Sequence, residues 1–190
     1  MPTGRSVTSL LRPGVPAAVH GRGSDQHRAS QRRARNRPGY VYLHSAVDDH
    51  SRLAYTEELP DEKGITAAGF WTRAVAFFAA HGITTIARVL TDNGSCYRSK
   101  VLNKAVRDTG TTHKYTRPHR PQTIGKVQRY QRTLSREWAR SQAWDSNAHR
   151  SAHLQAFLDR YNYRRPHTAL AGLPPISRCP GVTNVAAKNN

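Results

Sequence analysis

The stretch from Arg88 to Trp138 constrains the fold more than any other part of the chain. It opens with Arg88-Val-Leu-Thr-Asp-Asn-Gly94, an apolar run that closes on an acid, Asp92. That pattern predicts a buried strand with a carboxylate at its tip. Further on, in Gly125-Lys-Val-Gln-Arg-Tyr-Gln-Arg-Thr-Leu134 and the turn after it, Val127, Tyr130, Leu134 and Trp138 recur at three- and four-residue spacing. This is the apolar stripe of an amphipathic helix. A basic, Pro-rich loop, Arg117-Pro-His-Arg-Pro121, precedes the helix, and 35 residues separate Asp92 from Gln128. A buried strand and a one-sided helix must cover each other, so the class is α/β.

The flanking segments extend this layered reading. Tyr40–Val47 and Leu53–Leu59 are rich in β-branched and aromatic residues and predict two strands of a hairpin. Asp48-Asp49-His50-Ser51 between them has the side chains that cap chain reversals. A turn is the better reading of Asp48 and Asp49 than a metal pair, because adjacent strand residues point to opposite faces. Gly64–His81 carries Phe70, Trp71, Ala74, Val75, Phe77 and Phe78 at helical spacing, with Gly82 as its C-terminal cap. A strand over Thr84–Thr91 follows, which completes a strand-helix-strand crossover. Ser99–Asp108 predicts a short helix with Val101, Leu102, Ala105 and Val106 inward, and Thr111–Thr116 a short strand. Helices are predicted over Gly125–Gln142 and over His149–Tyr163, the latter stopped by Pro166. Three regions follow: a basic, disordered arm over 1–38, a core over 39–178 and a tail over 179–190.

Charge bounds the partner. Thirty Lys and Arg stand against 12 Asp and Glu, a formal net charge of +18. Such a balance favours a polyanion, since each neutralised phosphate releases a condensed counterion. Arg-rich coding is the bland alternative. Two cysteines, Cys96 and Cys179, make neither a disulfide scaffold nor a zinc site, and a reducing compartment follows. No apolar run is long enough to span a membrane.

Four ordered blocks carry a resemblance. They are Tyr40-Val-Tyr-Leu-His-Ser-Ala-Val-Asp-Asp-His-Ser-Arg-Leu-Ala-Tyr55, Leu90-Thr-Asp-Asn-Gly94, Gly125-Lys-Val-Gln-Arg-Tyr-Gln-Arg-Thr-Leu134 and Tyr161-Asn-Tyr-Arg-Arg-Pro-His-Thr-Ala-Leu170. In order and spacing they resemble the integrase-like catalytic core of bacterial insertion-sequence transposases. The resemblance covers Gly39 to Arg178 and implies an RNase H-like fold with a mixed central sheet flanked by helices. It also implies metal-dependent DNA strand transfer, with three carboxylates holding two Mg²⁺ or Mn²⁺ ions. Asp92 matches the second aspartate and is the expected metal ligand. Gln128 matches the glutamate on the helix.

The departures are as informative. Gln128 is neutral, and Ile124 replaces the asparagine usual before Gly125. The only acid before Asp48 is Asp25, in a segment that does not read as a strand. The family's first strand and its aspartate are therefore expected to be missing or altered, and a truncated, degenerate copy with weak metal binding and impaired catalysis is expected. Arg117, His119, Arg120, Lys126, Arg129, Arg132 and Arg136 are expected to face DNA, positioning its phosphates without reading sequence; the alternative for these is a solvated helix face. Arg164, Arg165 and His167 read as a phosphate site or a cap on the last helix, with the cap preferred. Expected partners are element-end and target DNA, a second copy of the chain, or an intact transposase in a mixed oligomer. The expected location is the bacterial cytoplasm, with the nucleoid. The alternative function is a non-enzymatic DNA-binding remnant that occupies element ends.

Overall fold

The computed structural model describes residues 5–12, 41–116 and 125–180. Five strands form one mixed sheet: β1 (Arg5–Arg12), β2 (Tyr42–Asp48), β3 (Ala54–Leu59), β4 (Ile86–Thr91) and β5 (Thr112–Tyr115). Their spatial order is β3-β2-β1-β4-β5. β1 runs antiparallel to β2 and parallel to β4. The β2–β3 pair is the expected hairpin, and β4–β5 is parallel.

The central strand corrects an expectation. Arg5–Arg12 was placed in a disordered arm and the first strand was expected to be missing or altered. The strand is present at the centre of the sheet, and it is altered in carrying no acid: its sequence is Arg-Ser-Val-Thr-Ser-Leu-Leu-Arg. Ser and Thr interrupt its apolar run, so it lacks the continuous hydrophobicity by which a doubly covered strand is recognised. Pairing decides the matter. β2 and β4 each present a row of backbone N–H and C=O groups that only a strand between them can satisfy. The rest of the arm lies outside the described residues.

Helices cover both faces. On one face lie α1 (Gly64–Ala80) and α2 (Lys100–Asp108), where Val7, Ala46, Phe70, Trp71, Phe78, Val89, Leu102 and Val106 form a buried cluster. On the other lie α3 (Gly125–Leu134), continuing as a wider turn over Ser135–Ala139, then α4 (Asn147–Ala152) and α5 (Leu154–Asp159). Leu43, Val47, Val127, Tyr130, Leu134, Trp138, Leu158 and Tyr161 are buried there. α3 packs across β1 and β2. The last helical turn, Arg160–Arg164, ends where Arg165 goes extended before Pro166. The expected inward stripe of α2 holds for Leu102 and Val106, but Val101 is 51% exposed.

Two junctions set the geometry. Gly82 has φ +78°, and its N–H and that of Ile83 bond back to Ala79 and Phe78, closing α1. A Cβ there would lie 2.1 Å from the Pro180 carbonyl oxygen, so glycine is required twice over. Asp48 is fully buried and caps the hairpin turn. Its Oδ2 accepts from the Ser51 backbone N–H at 2.8 Å and from the Ser51 hydroxyl at 2.6 Å. Arg5 donates to the same oxygen at 2.9 Å, tying β1 to β2.

Candidate functional site

Asp92 stands one residue beyond β4, half-buried. Its Oδ1 accepts the Gly94 N–H at 2.8 Å, a side-chain turn that fixes the carboxylate. Asn93 donates to the Thr116 carbonyl at 2.9 Å and accepts from Arg98 at 3.1 Å. The Thr-Asp-Asn-Gly loop is thus stapled to the end of β5. Behind it, His113 joins Asn103 at 2.8 Å through Nδ1 and Thr91 at 2.9 Å through Nε2. Burial holds the His113 pKa below its ordinary value, which keeps the ring neutral. A neutral ring that donates to Asn103 and accepts from Thr91 satisfies both bonds. Sequence reasoning missed this support because His113 and Asn103 belong to different elements and meet only in the fold.

Strand register places the remaining site positions. Thr8 is paired with Leu90, two residues before Asp92, at the end of the β1–β4 ladder. Leu10 is paired with Ser45, which hydrogen-bonds Thr56 and through it Tyr130 of α3. Asp92 follows β4, and Gln128 lies on α3, which packs across β1 and β2. Gln128 is half-buried on α3, and among the described residues no hydrogen bond joins it to Asp92.

Among the described residues no other acid completes the set. Asp48 is abreast of Val7, on the α1 face. Its neighbour Asp49 lies beside Lys126, whose Nζ is 3.7 Å from the carboxylate. Asp108 pairs with Lys104 at 2.7 Å and Asp145 with His149 at 3.1 Å. Glu137 accepts from Arg165 at 2.7 Å and from Arg160 at 2.6 Å. Arg165 first, then burial and Arg160, set the Glu137 pKa, which lies below its ordinary value. Among the described residues no three His, Cys, Asp or Glu side chains are grouped to hold a metal ion. One carboxylate and a neutral amide do not fit a two-ion site, which needs charged oxygen ligands to balance two dications.

The basic residues divide. Lys126, Arg129, Arg132 and Arg136 are exposed along α3 and its continuation. Lys126 donates to the Asp49 carbonyl at 3.1 Å. Arg117, His119 and Arg120 lie outside the described residues. Arg165 grips Glu137 through Nε and Nη2 and bridges the end of α3 to the last helical turn. Cys96 is a packing residue, its thiol pushed up to about 11 by burial.

A mixed sheet in the order β3-β2-β1-β4-β5, with an acid at the tip of β4 and a helix laid across β1 and β2, defines an RNase H-like integrase catalytic core. The BIV integrase core shares this fold, with a TM-score of 0.60 at 18% identity, over 90% of this chain and 91% of that one. The HTLV-2 integrase core in complex with magnesium, in its trimeric form, has a TM-score of 0.64 at 11% identity, over 92% of this chain and 95% of that one. The chain belongs to the integrase core domain family, which matches residues 20–121, with a second integrase core domain match over 109–175. β1 lies outside both matched regions, in accord with its missing acid. An Escherichia coli K12 relative named as transposase InsD for insertion element IS2E is 29% identical over 86 residues. Those residues are 45% of this chain and 39% of that protein, so the chain aligns with well under half of the relative's length.

Proposed function

We propose that this chain is the core domain of a bacterial insertion-sequence transposase, a degenerate copy that holds DNA without efficient strand transfer. The observation that carries the reading is a β1 without an acid beside the strand that ends at Asp92, with Gln128 at the helix position. A carboxylate on β1 or at position 128 would add a negative oxygen ligand, and neither is present. What remains to the chain is its charge. The exposed row Lys126, Arg129, Arg132 and Arg136 attracts phosphates, and a lone Asp92 does little to repel them. DNA at element ends and target sites is the proposed partner, in the cytoplasm. Among the described residues no helix is long and apolar enough to cross a membrane. The chain assembles with a second copy of itself or with an intact transposase, and only the latter would supply the catalysis; the HTLV-2 core occurs in trimeric and dimeric forms.

The test is restoration. The chain, Gln128→Glu, and the pair Leu10→Asp with Gln128→Glu are assayed for Mn²⁺ binding by calorimetry and for strand transfer on element-end DNA. The chain and the single variant are expected to be inactive, and only the pair to gain tight Mn²⁺ binding. Strand transfer by the unaltered chain that Asp92→Asn abolishes would sink the degenerate reading.

A further inference from the structure

α3 has two unlike flanks. At 100° per residue, Gln128 lies about 160° around the helix from Lys126, with Arg129 on the crest between them. The Gln128 flank borders the Asp92 side. The other flank, Lys126, Tyr130 and Thr133, forms one wall of a groove of about 500 Å³. The opposite wall is the segment from Tyr161 to Ala169, and Arg52 of the hairpin turn closes one end.

This groove is strongly basic and contains no acid among its lining residues. Arg165 is committed to Glu137 and Lys126 is partly offset by Asp49. Arg52 and Arg129 have no carboxylate partner among the described residues. Arg52 is held at φ +69°, a left-handed backbone that a non-glycine residue adopts at a cost. Its guanidinium donates to the Asp49 carbonyl, which fixes the arm in place. The exposed Thr168 hydroxyl adds a donor, while the Thr133 hydroxyl donates to the Arg129 carbonyl. The His167 ring, kept neutral by burial and bonded to the Tyr161 backbone, lines the groove without adding a charge. Cations with a hydroxyl donor and no competing acid match a phosphodiester group.

The groove is not the Asp92 site. Arg52 sits at the Asp48 end of β2, and Asp48 is abreast of Val7, which pairs with Val89, three residues before Asp92. Three residues of strand separate the two levels, roughly 10 Å along the sheet, and the width of α3 separates them sideways. A backbone that crosses the Arg129 crest would reach both flanks.

We propose that the groove between α3 and the Tyr161–Ala169 segment is a docking site for one DNA phosphodiester, held by Arg52 and Arg129 and lined by Thr168. The inference rests on the DNA-binding reading above and adds a site to it. The experiment measures duplex binding by fluorescence anisotropy over a salt series. It uses the full chain, Arg52→Asn, Arg129→Gln, Thr168→Glu and Lys104→Gln, the last on the opposite face of the sheet. Arg52→Asn keeps a side chain that tolerates the left-handed backbone, and Thr168 is exposed, so Thr168→Glu tests the site without a buried change.

Each arginine variant is expected to weaken binding roughly fivefold to tenfold near 0.1 M salt and to lower the salt slope by about 0.9, one phosphate's worth. Thr168→Glu weakens binding at least as much, and Lys104→Gln leaves it unchanged. If the unaltered chain binds DNA and all three groove variants match it in affinity and slope, the groove proposal is wrong and the DNA reading stands. If the unaltered chain does not bind DNA, both fall. Stabilisation by tripolyphosphate that the groove variants abolish, with DNA binding unaffected, would make this a small-anion site and overturn the assignment to DNA.

Discussion

Val7→Ala tests the central strand directly. Val7 is fully buried beside Ala46, Leu53 and Val89, on the face covered by α1. The substitution removes two methyl groups. At about 0.8 kcal/mol each they contribute roughly 1.6 kcal/mol of transfer free energy. Incomplete collapse of the space they leave brings the expected loss to about 2 kcal/mol. For a chain of this size each kcal/mol lowers Tm by about 2–4 °C, so a fall of about 4–8 °C is expected. The assay is thermal and urea unfolding followed by circular dichroism, with an unchanged urea m-value as the check that only stability has moved. Native-state hydrogen exchange adds a second readout. At Val7 and Thr8, β1 is paired on both sides within a five-stranded sheet, so its ladder amides there should exchange only through near-global unfolding. A Tm change below about 1 °C, or β1 amides that exchange as fast as a free peptide, would refute the assignment. Surface changes in an unpaired arm are worth less than about 0.5 kcal/mol.

Two further predictions probe the ionisable groups. Glu137→Gln should lower stability at neutral pH by about 1–2 kcal/mol, because Arg165 and Arg160 lose a charged acceptor that is itself largely buried. The folded Glu137 pKa lies below its ordinary value, so its stabilisation is present above the unfolded value of about 4.5 and is lost as pH falls through the folded one. The variant should therefore show a shallower loss of Tm below pH 4.5. Histidine acts in a higher window. Burial, the leading cause in each, holds His44, His113 and His167 below the ordinary 6.5. The unfolded chain then binds more protons near and below that pH, so stability is full above it and erodes as pH falls toward the folded values. Tm measured from pH 8 to 5 should fall, and His44→Gln should flatten the slope; a Tm that rises on acidification would contradict the buried, neutral state.

Much of the fold was legible because its signals are local. The α1 aromatics repeat at helical spacing, Gly82 and Pro166 end helices for steric reasons, and Asp48 with Ser51 carries the chemistry of a turn. The interior of β1 was not legible, since Ser6, Thr8 and Ser9 break its apolar run and its fitness for the centre comes from two partners far away in sequence. The site divides the same way. Asp92 announced itself at a strand tip, whereas the Arg165 grip on Glu137 joins two helices that no spacing rule connects. The His113–Asn103 support and the groove around Arg52 arise from chain segments brought together only by packing, and no spacing rule reaches across them. Val101 faced outward against its stripe because α2 is short and buries only Leu102 and Val106 deeply.

The place of β1 in the sheet also governs when the sheet can exist. Val7 pairs with Asp48, and Thr8 with Leu90, about 80 residues later. Closing such long loops is entropically costly, and folds dominated by distant pairings form slowly. On a translating ribosome that adds about 5–20 residues per second, β1 emerges several seconds before its parallel partner has been made. During that interval the hairpin of β2 and β3 can form by itself, while α1 has no complete surface to cover. Assembly must therefore wait for β4, and until then β1 is an unpaired strand whose backbone is open to other chains.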